Sequence, residues 1–180
     1  MIHRTARRLA LGAALASVLS AAPAAAQTPV AESSEPLPVD VETRELAASF
    51  ATLRARDARV LELGYRLVTG NARFCEDATS TAGLLLHDVR AYGKGDALRS
   101  FLGLQGDVGV QALVPGGPAE RAGLKIDDTV LAIGQLRISD IDIEGAEPWQ
   151  RTETIRAATE RMLDEDGVLP LTILRDGQIG

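Results

Sequence analysis

The stretch Val108-Gly-Val-Gln-Ala-Leu-Val-Pro-Gly-Gly-Pro-Ala-Glu-Arg-Ala-Gly-Leu-Lys-Ile-Asp-Asp-Thr-Val-Leu-Ala-Ile-Gly134 decides the fold of this chain. Short apolar runs at its two ends are typical of β-strands, and we predict strands at 108–114 and 129–133. Between them, a Pro-Gly-Gly-Pro turn leads into a short helix at 118–122, which begins with proline and is followed by Gly123. The stretch therefore predicts a strand, one helical turn and a second strand in close succession.

The same texture of short apolar runs and turns extends to both sides of this stretch. It predicts further strands at 84–89, 136–138 and 168–175 and further helices at 96–102 and 148–163. Asp176-Gly177 indicates a hairpin turn, and only Ile179 and Gly180 come after the turn at 175–178. We therefore expect the last strand of the domain, which would pair with 168–175, to be missing, and we expect this chain to be the front part of a longer protein.

A long helix is predicted ahead of these strands, over residues 41–72. Its apolar side chains recur at helical spacing with charged residues between them, at Leu46, Phe50, Leu53, Val60, Leu67 and Val68. Gly70-Asn71 closes the pattern. An apolar stripe of this kind usually packs against a neighbouring surface, so we expect the helix to pack on the domain that follows it.

The first 26 residues have the pattern of a cleavable secretory signal peptide. Arg4, Arg7 and Arg8 precede an apolar run that ends on Ala24-Ala25-Ala26 and is shorter than a membrane-spanning helix. An uncleaved membrane anchor is the alternative. Residues 27–40 are rich in Pro, Ser, Glu and Ala, which predicts a flexible linker. We therefore expect an exported, periplasmic protein.

The mature chain is predicted to be acidic. Removal of residues 1–26 takes away three arginines and no acidic residue, so the formal net charge changes from −6 to −9. An acidic surface repels phosphate backbones and anionic lipid headgroups, which argues against binding to nucleic acids or membrane surfaces. Other polypeptides are the partners that this charge favours.

The sequence contains no motif that predicts catalysis. Loss of His3 with the signal peptide leaves His87 as the one histidine, and there is no H-E-x-x-H pair for zinc. Ser80 and Ser100 lack the surroundings of a nucleophile. The acidic run at 138–144 resembles a calcium loop only superficially. We expect no metal site, no cofactor and no enzymatic activity of this chain alone.

Residues 108–134 resemble the central segment of bacterial PDZ domains, as found in HtrA-type proteases. That family runs from a strand through P-G-S-P-A and A-G-L to G-D and a strand that ends in N-G. The segments 81–89, 101–104 and 169–177 are similar to the same family, so the resemblance covers about residues 81–180. Two turns depart from it, because Asp127 stands where the family usually has Gly and Gly134-Gln135 replaces Asn-Gly.

The resemblance implies an α+β fold for residues 80–180. The fold would be a PDZ-like, partly open β-barrel or sandwich capped by two helices, and the long helix would precede it. The resemblance also implies a groove for the ends of polypeptides. Such a groove needs free N–H groups in a tight loop, which receive the ligand carboxylate, and an open strand edge that the ligand extends.

The resemblance assigns this loop to Ala82-Gly83-Leu84-Leu85 and the strand edge to 84–89. The residues expected to bind peptide are Ala82, Gly83, Leu84, Leu85, Leu86 and His87, with Ile155, Ala158 and Met162 on the opposite helix. Alternatively, these three helix residues simply pack on the sheet. Leu84 and Leu86 share one face of their strand and Leu85 and His87 the other, so only one pair can line the groove. His87 either contacts a ligand or faces solvent.

These features favour an exported PDZ module that recognises C-termini or hydrophobic segments of envelope proteins. The alternative is the regulatory N-terminal part of a periplasmic peptidase, a zinc metallopeptidase or an HtrA-like protease, whose catalytic domain lies outside this chain. In a third hypothesis, the long helix makes a dimer or partner contact and the groove is occluded.

Two single residues carry separate expectations. Cys75 is the only cysteine, and in an exported protein it is a candidate for a disulfide with a partner elsewhere; a free, buried thiol is the alternative. Trp149 is expected to pack the start of the helix at 148–163 against the body of the domain.

Overall fold

A computed structural model describes residues 41–141 and 147–180. The expected signal peptide, the expected linker and part of the acidic run at 138–144 lie outside the described residues. The described chain is α+β: a long helix precedes an open antiparallel sheet of six strands and further helices.

Every helix and strand expected in the described residues is present, with ends that differ by a few residues. The helices are α1 (Val41–Asn71), α2 (Gly95–Leu102), α3 (Pro118–Arg121) and α4 (Pro148–Asp166). The strands are β1 (Leu84–Asp88), β2 (Val108–Leu113), β3 (Thr129–Ile133), β4 (Leu136–Arg137), β5 (Leu171–Arg175) and β6 (Gln178–Ile179). Single 3-10 turns follow α1, β1 and β4.

The strands are ordered β1-β2-β3-β5-β6, and β4 pairs with β3. All the pairs are antiparallel. The expectation that the strand after β5 is missing was wrong. Residues 178 and 179 return after the Asp176-Gly177 turn and pair with Leu174 and Arg175, and Gly180 exchanges two backbone hydrogen bonds with Ile173. A strand of two residues is too short to show an alternating pattern in the sequence.

Two apolar clusters form the core. The first lies between the sheet and α4 and contains Val108, Val110, Val130, Ile133, Ile138, Ile155 and Ala158. The second joins α1 and α2 to the end of β1 and contains Phe50, Val89, Leu98 and Leu104. The sheet is therefore held by α4 through one cluster, while α1 is attached through the other.

Helix α1 packs on the domain as expected, but through a mixed polar face. Phe50 is buried there, and Arg54 binds Asp127 through two hydrogen bonds, of which Nη2 to Oδ1 is 2.5 Å long. The amide of Gln111 donates to the carboxylate of Asp57. The register of β1 against β2 shifts by one residue at Gln111, so this residue is the extra one of a β-bulge. The bulge supplies a polar side chain to the helix.

The predicted apolar stripe of α1 is not the face through which this helix packs. Of its six positions only Phe50 is buried, and Leu46 is partly buried. Leu53, Val60, Leu67 and Val68 are exposed, Val60 by 70%. Polar side chains fix the helix instead, and an apolar periodicity cannot reveal them.

Asp127 adopts a left-handed backbone conformation with φ +67°. Glycine adopts this conformation most readily, and Arg54 pairs with the aspartate that adopts it here. We expect Asp127→Asn to lose about 1 kcal/mol of unfolding free energy, because the ion pair is lost but Asn tolerates positive φ. Asp127→Ala should lose about 1 kcal/mol more, because alanine is strained there. Urea unfolding of the two variants measures the difference, and equal losses would contradict it.

Candidate functional site

A groove of about 800 Å3 lies between β1 and α4, and the end of α1 and the segment that joins α1 to β1 also line it. The helix runs antiparallel to the strand. At one end, Arg151 in the first turn of α4 pairs with Asp88 at the end of β1. At the other end, Gly167 follows the last turn of α4 and lies beside the hydroxyl of Ser80, just before β1. The groove therefore has a far end at Asp88 and a loop end at residues 80–83.

One edge of β1 is open among the described residues, because β1 is the first strand of their sheet and pairs there only with β2. Val114 donates to the carbonyl of Gly83 at 2.9 Å, and Val89 donates to the carbonyl of Asp107 at 2.8 Å. Backbone groups alternate along an antiparallel strand, so the carbonyl of Gly83 and the backbone groups of residues 85, 87 and 89 face β2. The N–H and C=O groups of Leu84 and Leu86 then point away from the sheet, towards the groove.

The loop before β1 contains two backbone N–H groups that are unpaired within the described residues. The carbonyl groups of Ala82 and Gly83 accept hydrogen bonds from Ala119 and Val114, both at 2.9 Å. Among the described residues, their N–H groups have no acceptor. Gly83 has φ +65°, and an added Cβ would lie 3.1 Å from the Cβ of Val114. The loop is thus anchored by its carbonyls, and only glycine fits at its centre.

The structure distributes the predicted helix residues between groove and core. Ile155 is buried in the core cluster and also lines the groove. Ala158 and Met162 do not line the groove. Ala158 is buried in the same cluster, and Met162 fills the space beside Gly134. These two residues follow the alternative and pack on the sheet, because their face of α4 turns towards it.

The α4 residues that line the groove lie on the helix face next to the predicted one, which contained Ile155, Ala158 and Met162. They are Thr152, Ile155, Arg156, Thr159, Glu160, Leu163 and Asp164. Sequence reasoning selected only apolar positions and so missed the threonines. The signal was available, because Thr152, Ile155 and Thr159 have the i, i+3, i+7 spacing of one helical face.

Five of the six predicted strand and loop residues line the groove, and the exception is Gly83, which is buried. Leu84 and Leu86 are partly buried and pack against the core cluster that contains Ile155. Ala82, Leu85 and His87 also line the groove. Leu84 and Leu86 thus form the pair that turns its side chains to the α4 side of the strand.

His87 does not face solvent, which corrects one of its two expected roles. Its side chain is 4% exposed, and its ring stacks on Phe50 of α1 with the ring centroids 5.5 Å apart. Neither ring nitrogen has a hydrogen-bond partner among the described residues. Burial, together with the charge of Arg54, lowers the pKa of His87 to about 4. The imidazole is therefore neutral at physiological pH and belongs to the contact with α1.

Buried charges fix the far end of the groove. Nε of Arg151 lies 2.9 Å from Oδ2 of Asp88, and its two Nη atoms lie 3.4 Å from Oδ2 of Asp107. Arg99 and Arg90 also pair with Asp107, at 2.5 and 3.1 Å. Burial raises the pKa of Asp88, although the backbone N–H of Arg90 and the charge of Arg151 act in the opposite direction. These pairs set the distance between β1 and α4.

Cys75 is exposed and free of a disulfide within the described residues, and it lies among the residues that line the groove. The alternative of a buried thiol was therefore wrong. Trp149 is 62% exposed, so it does not pack the start of α4 as expected. Instead, a reciprocal pair of side-chain hydrogen bonds between Glu147 and Gln150 caps this helix.

Within residues 41–141 and 147–180, no helix has the length and apolar character to cross a membrane. In the same residues, no three His, Cys, Asp or Glu side chains are grouped so that they could hold a metal ion.

No family model matches this chain, and neither the curated proteins nor the solved structures contain a match to it.

Proposed function

We propose that this chain is an exported PDZ-type module that binds extended polypeptide segments by adding them to the open edge of β1. The observation that carries the proposal is the open edge itself, which lies along an apolar groove lined also by α4 and by the end of α1. A segment paired with β1 would satisfy the outward N–H and C=O groups of Leu84 and Leu86.

The dimensions of the groove suit a few residues of peptide. Its volume of about 800 Å3 falls within the range of small-ligand sites. Alternate side chains of an extended ligand would point between Leu84 and Leu86 on one side and Ile155 and Thr159 on the other. The backbone would supply affinity, and these pockets would select apolar side chains.

Three features support a PDZ-type assignment beyond the resemblance in sequence. A free N–H loop directly precedes the open strand. The helix across the groove runs antiparallel to that strand. Asp127, which replaces a family glycine, has the positive φ that explains a glycine at this position. Binding, without catalysis by this chain, is then its function, with envelope polypeptides in the periplasm as partners.

The same binding chemistry would serve in the regulatory part of a periplasmic peptidase, which we keep as the alternative setting for the module. A partner contact through α1 is a second candidate function. It is favoured by the exposed apolar residues Leu53, Val60 and Leu63 on this helix, whereas the exposed Leu67 and Val68 line the groove.

The test is an N-methyl scan of ligand peptides. Fluorescein-labelled hexapeptides with alternating Val, Leu or Phe are screened for binding to residues 27–180, and the best binder is N-methylated one residue at a time. Methylation should weaken binding about tenfold at every second position, because only alternate N–H groups would bond β1. Uniform losses along the peptide would contradict binding by strand addition.

A matched pair of variants locates the site. Thr159 and Thr154 both lie on α4, and each hydroxyl donates to the carbonyl four residues earlier. Thr159 lines the groove, whereas Thr154 does not. Thr159→Trp should fill the groove and abolish binding, and Thr154→Trp should leave it unchanged. Equal effects of the two variants would place the ligand elsewhere.

A further inference from the structure

The loop end of the groove is acidic. Asp77, Glu160 and Asp164 line the groove, and all three are exposed. Because α4 runs towards the loop end, its last residues, Asp164-Glu165-Asp166, bring their charges to this end. The carboxyl end of a helix carries a partial negative charge, which adds to those of the side chains.

Few cationic side chains neutralise the acidic side chains at the loop end of the groove. Arg156 is the only cation among the described residues that line the groove, and it already pairs with Glu153 and Glu160. Within the described chain, Asp77 and Asp164 have no ion-pair partner. At the far end, by contrast, the buried Asp88 is compensated by Arg151.

The negative charge at the loop end affects which acceptor the free N–H groups of the loop can bind, a terminal carboxylate or a backbone carbonyl. A ligand that ended there would bring its carboxylate to the end of the groove that Asp77 and Asp164 line, and like charges repel. A ligand that continued past the loop would offer a backbone carbonyl to the same N–H groups. A basic side chain one or two residues further would then meet the unpaired carboxylates.

We propose that the groove selects internal extended segments in which an apolar residue is followed by Lys or Arg, in preference to free C-terminal carboxylates. This inference rests on the proposed function and narrows the class of its ligand. The partner is an unfolded or extended stretch of a basic envelope polypeptide, recognised by charge complementarity at the loop end and by apolar contact along β1.

The experiment compares three forms of the best-binding hexapeptide: the free acid, the peptide extended by Gln-Gln-amide, and the peptide extended by Lys-Lys-amide. At low ionic strength the lysine form should bind about tenfold more tightly than the free acid, with the glutamine form between them. The difference should shrink in 0.5 M salt, because exposed charges are screened. A free acid that binds as tightly as the lysine form would overturn the inference.

Protein variants test whether the acidic rim is responsible. Asp77→Asn combined with Asp164→Asn should reduce the lysine preference to about twofold, and Asp176→Asn in the β5–β6 turn should leave it intact. An unchanged preference in the double variant would also overturn the inference. Failure of the proposed function has a different signature, since none of the three peptides would then bind.

Discussion

Replacement of Arg151 by leucine is expected to lower the free energy of unfolding by about 3–5 kcal/mol. The side chain of Arg151 is buried between Asp88 and Asp107, and Asp88 is only 2% exposed. Asp107 keeps Arg90 and Arg99, whereas Asp88 loses its one ion-pair partner among the described residues and keeps only the more distant charge of Arg90. The loss therefore comes mainly from a carboxylate left buried without a partner charge. Urea unfolding, followed by circular dichroism, measures it.

Two further variants separate this cause from a general effect on α4. Arg161→Leu makes the same change at an exposed position of the helix and should alter stability by no more than about 0.5 kcal/mol. Adding Asp88→Asn to Arg151→Leu should recover part of the loss, because a neutral amide is less costly to bury than an unpaired charge. Similar stabilities for the Arg151 and Arg161 variants would show that the buried pair contributes nothing.

Acidification from pH 6.5 to pH 4 is expected to remove about 3 kcal/mol of stability through His87 alone. The pKa of His87 is lowered from 6.5 to about 4 in the folded chain by burial and by Arg54. Between these pH values the unfolded chain binds a proton at this histidine and the folded chain does not. The free energy of unfolding therefore falls as the pH falls through this window, and the full contribution is present above pH 6.5.

The non-titrating variant His87→Leu isolates this effect. Other groups contribute to the pH profile, and Asp88, whose pKa is raised, acts in the opposite direction. The difference in unfolding free energy between the wild type and His87→Leu should change by about 3 kcal/mol from pH 7 to pH 4. Hydrogen exchange should show α1 opening first, since its removal would expose the imidazole to water. Parallel pH profiles of the two proteins would mean that His87 is not buried in solution.

The sequence predicted the elements of the fold well, because each is short, strongly patterned and bounded by turn residues. It could not predict how α1 is attached. That attachment depends on Arg54 meeting Asp127 and on Asp57 meeting Gln111, which are contacts between distant segments. The bulge at Gln111 also interrupts the alternation of inward and outward side chains along β2. A regular two-residue alternation therefore assigns the wrong face to the residues on one side of the bulge.

The candidate site was predicted better on its strand than on its helix. The resemblance pointed to Ala82, Gly83 and Leu84; Ala82 and Leu84 line the groove, and the positive φ of Gly83 gives a physical reason for glycine in the loop. On α4, helical spacing alone fits several neighbouring faces. The rotation of the helix is set by Arg151 and by the packing of Met162 on Gly134, and neither contact is visible in the sequence.

The open edge of β1 also has a mechanical consequence. Hydrogen bonds between antiparallel or parallel neighbours run across the strands, so a tension applied along an added strand would load all of them at once. A force that lifted one end of the segment away from the sheet would break them singly, at much lower load. A polypeptide held on β1 would therefore resist being drawn lengthwise through the groove, yet would peel away readily from either end.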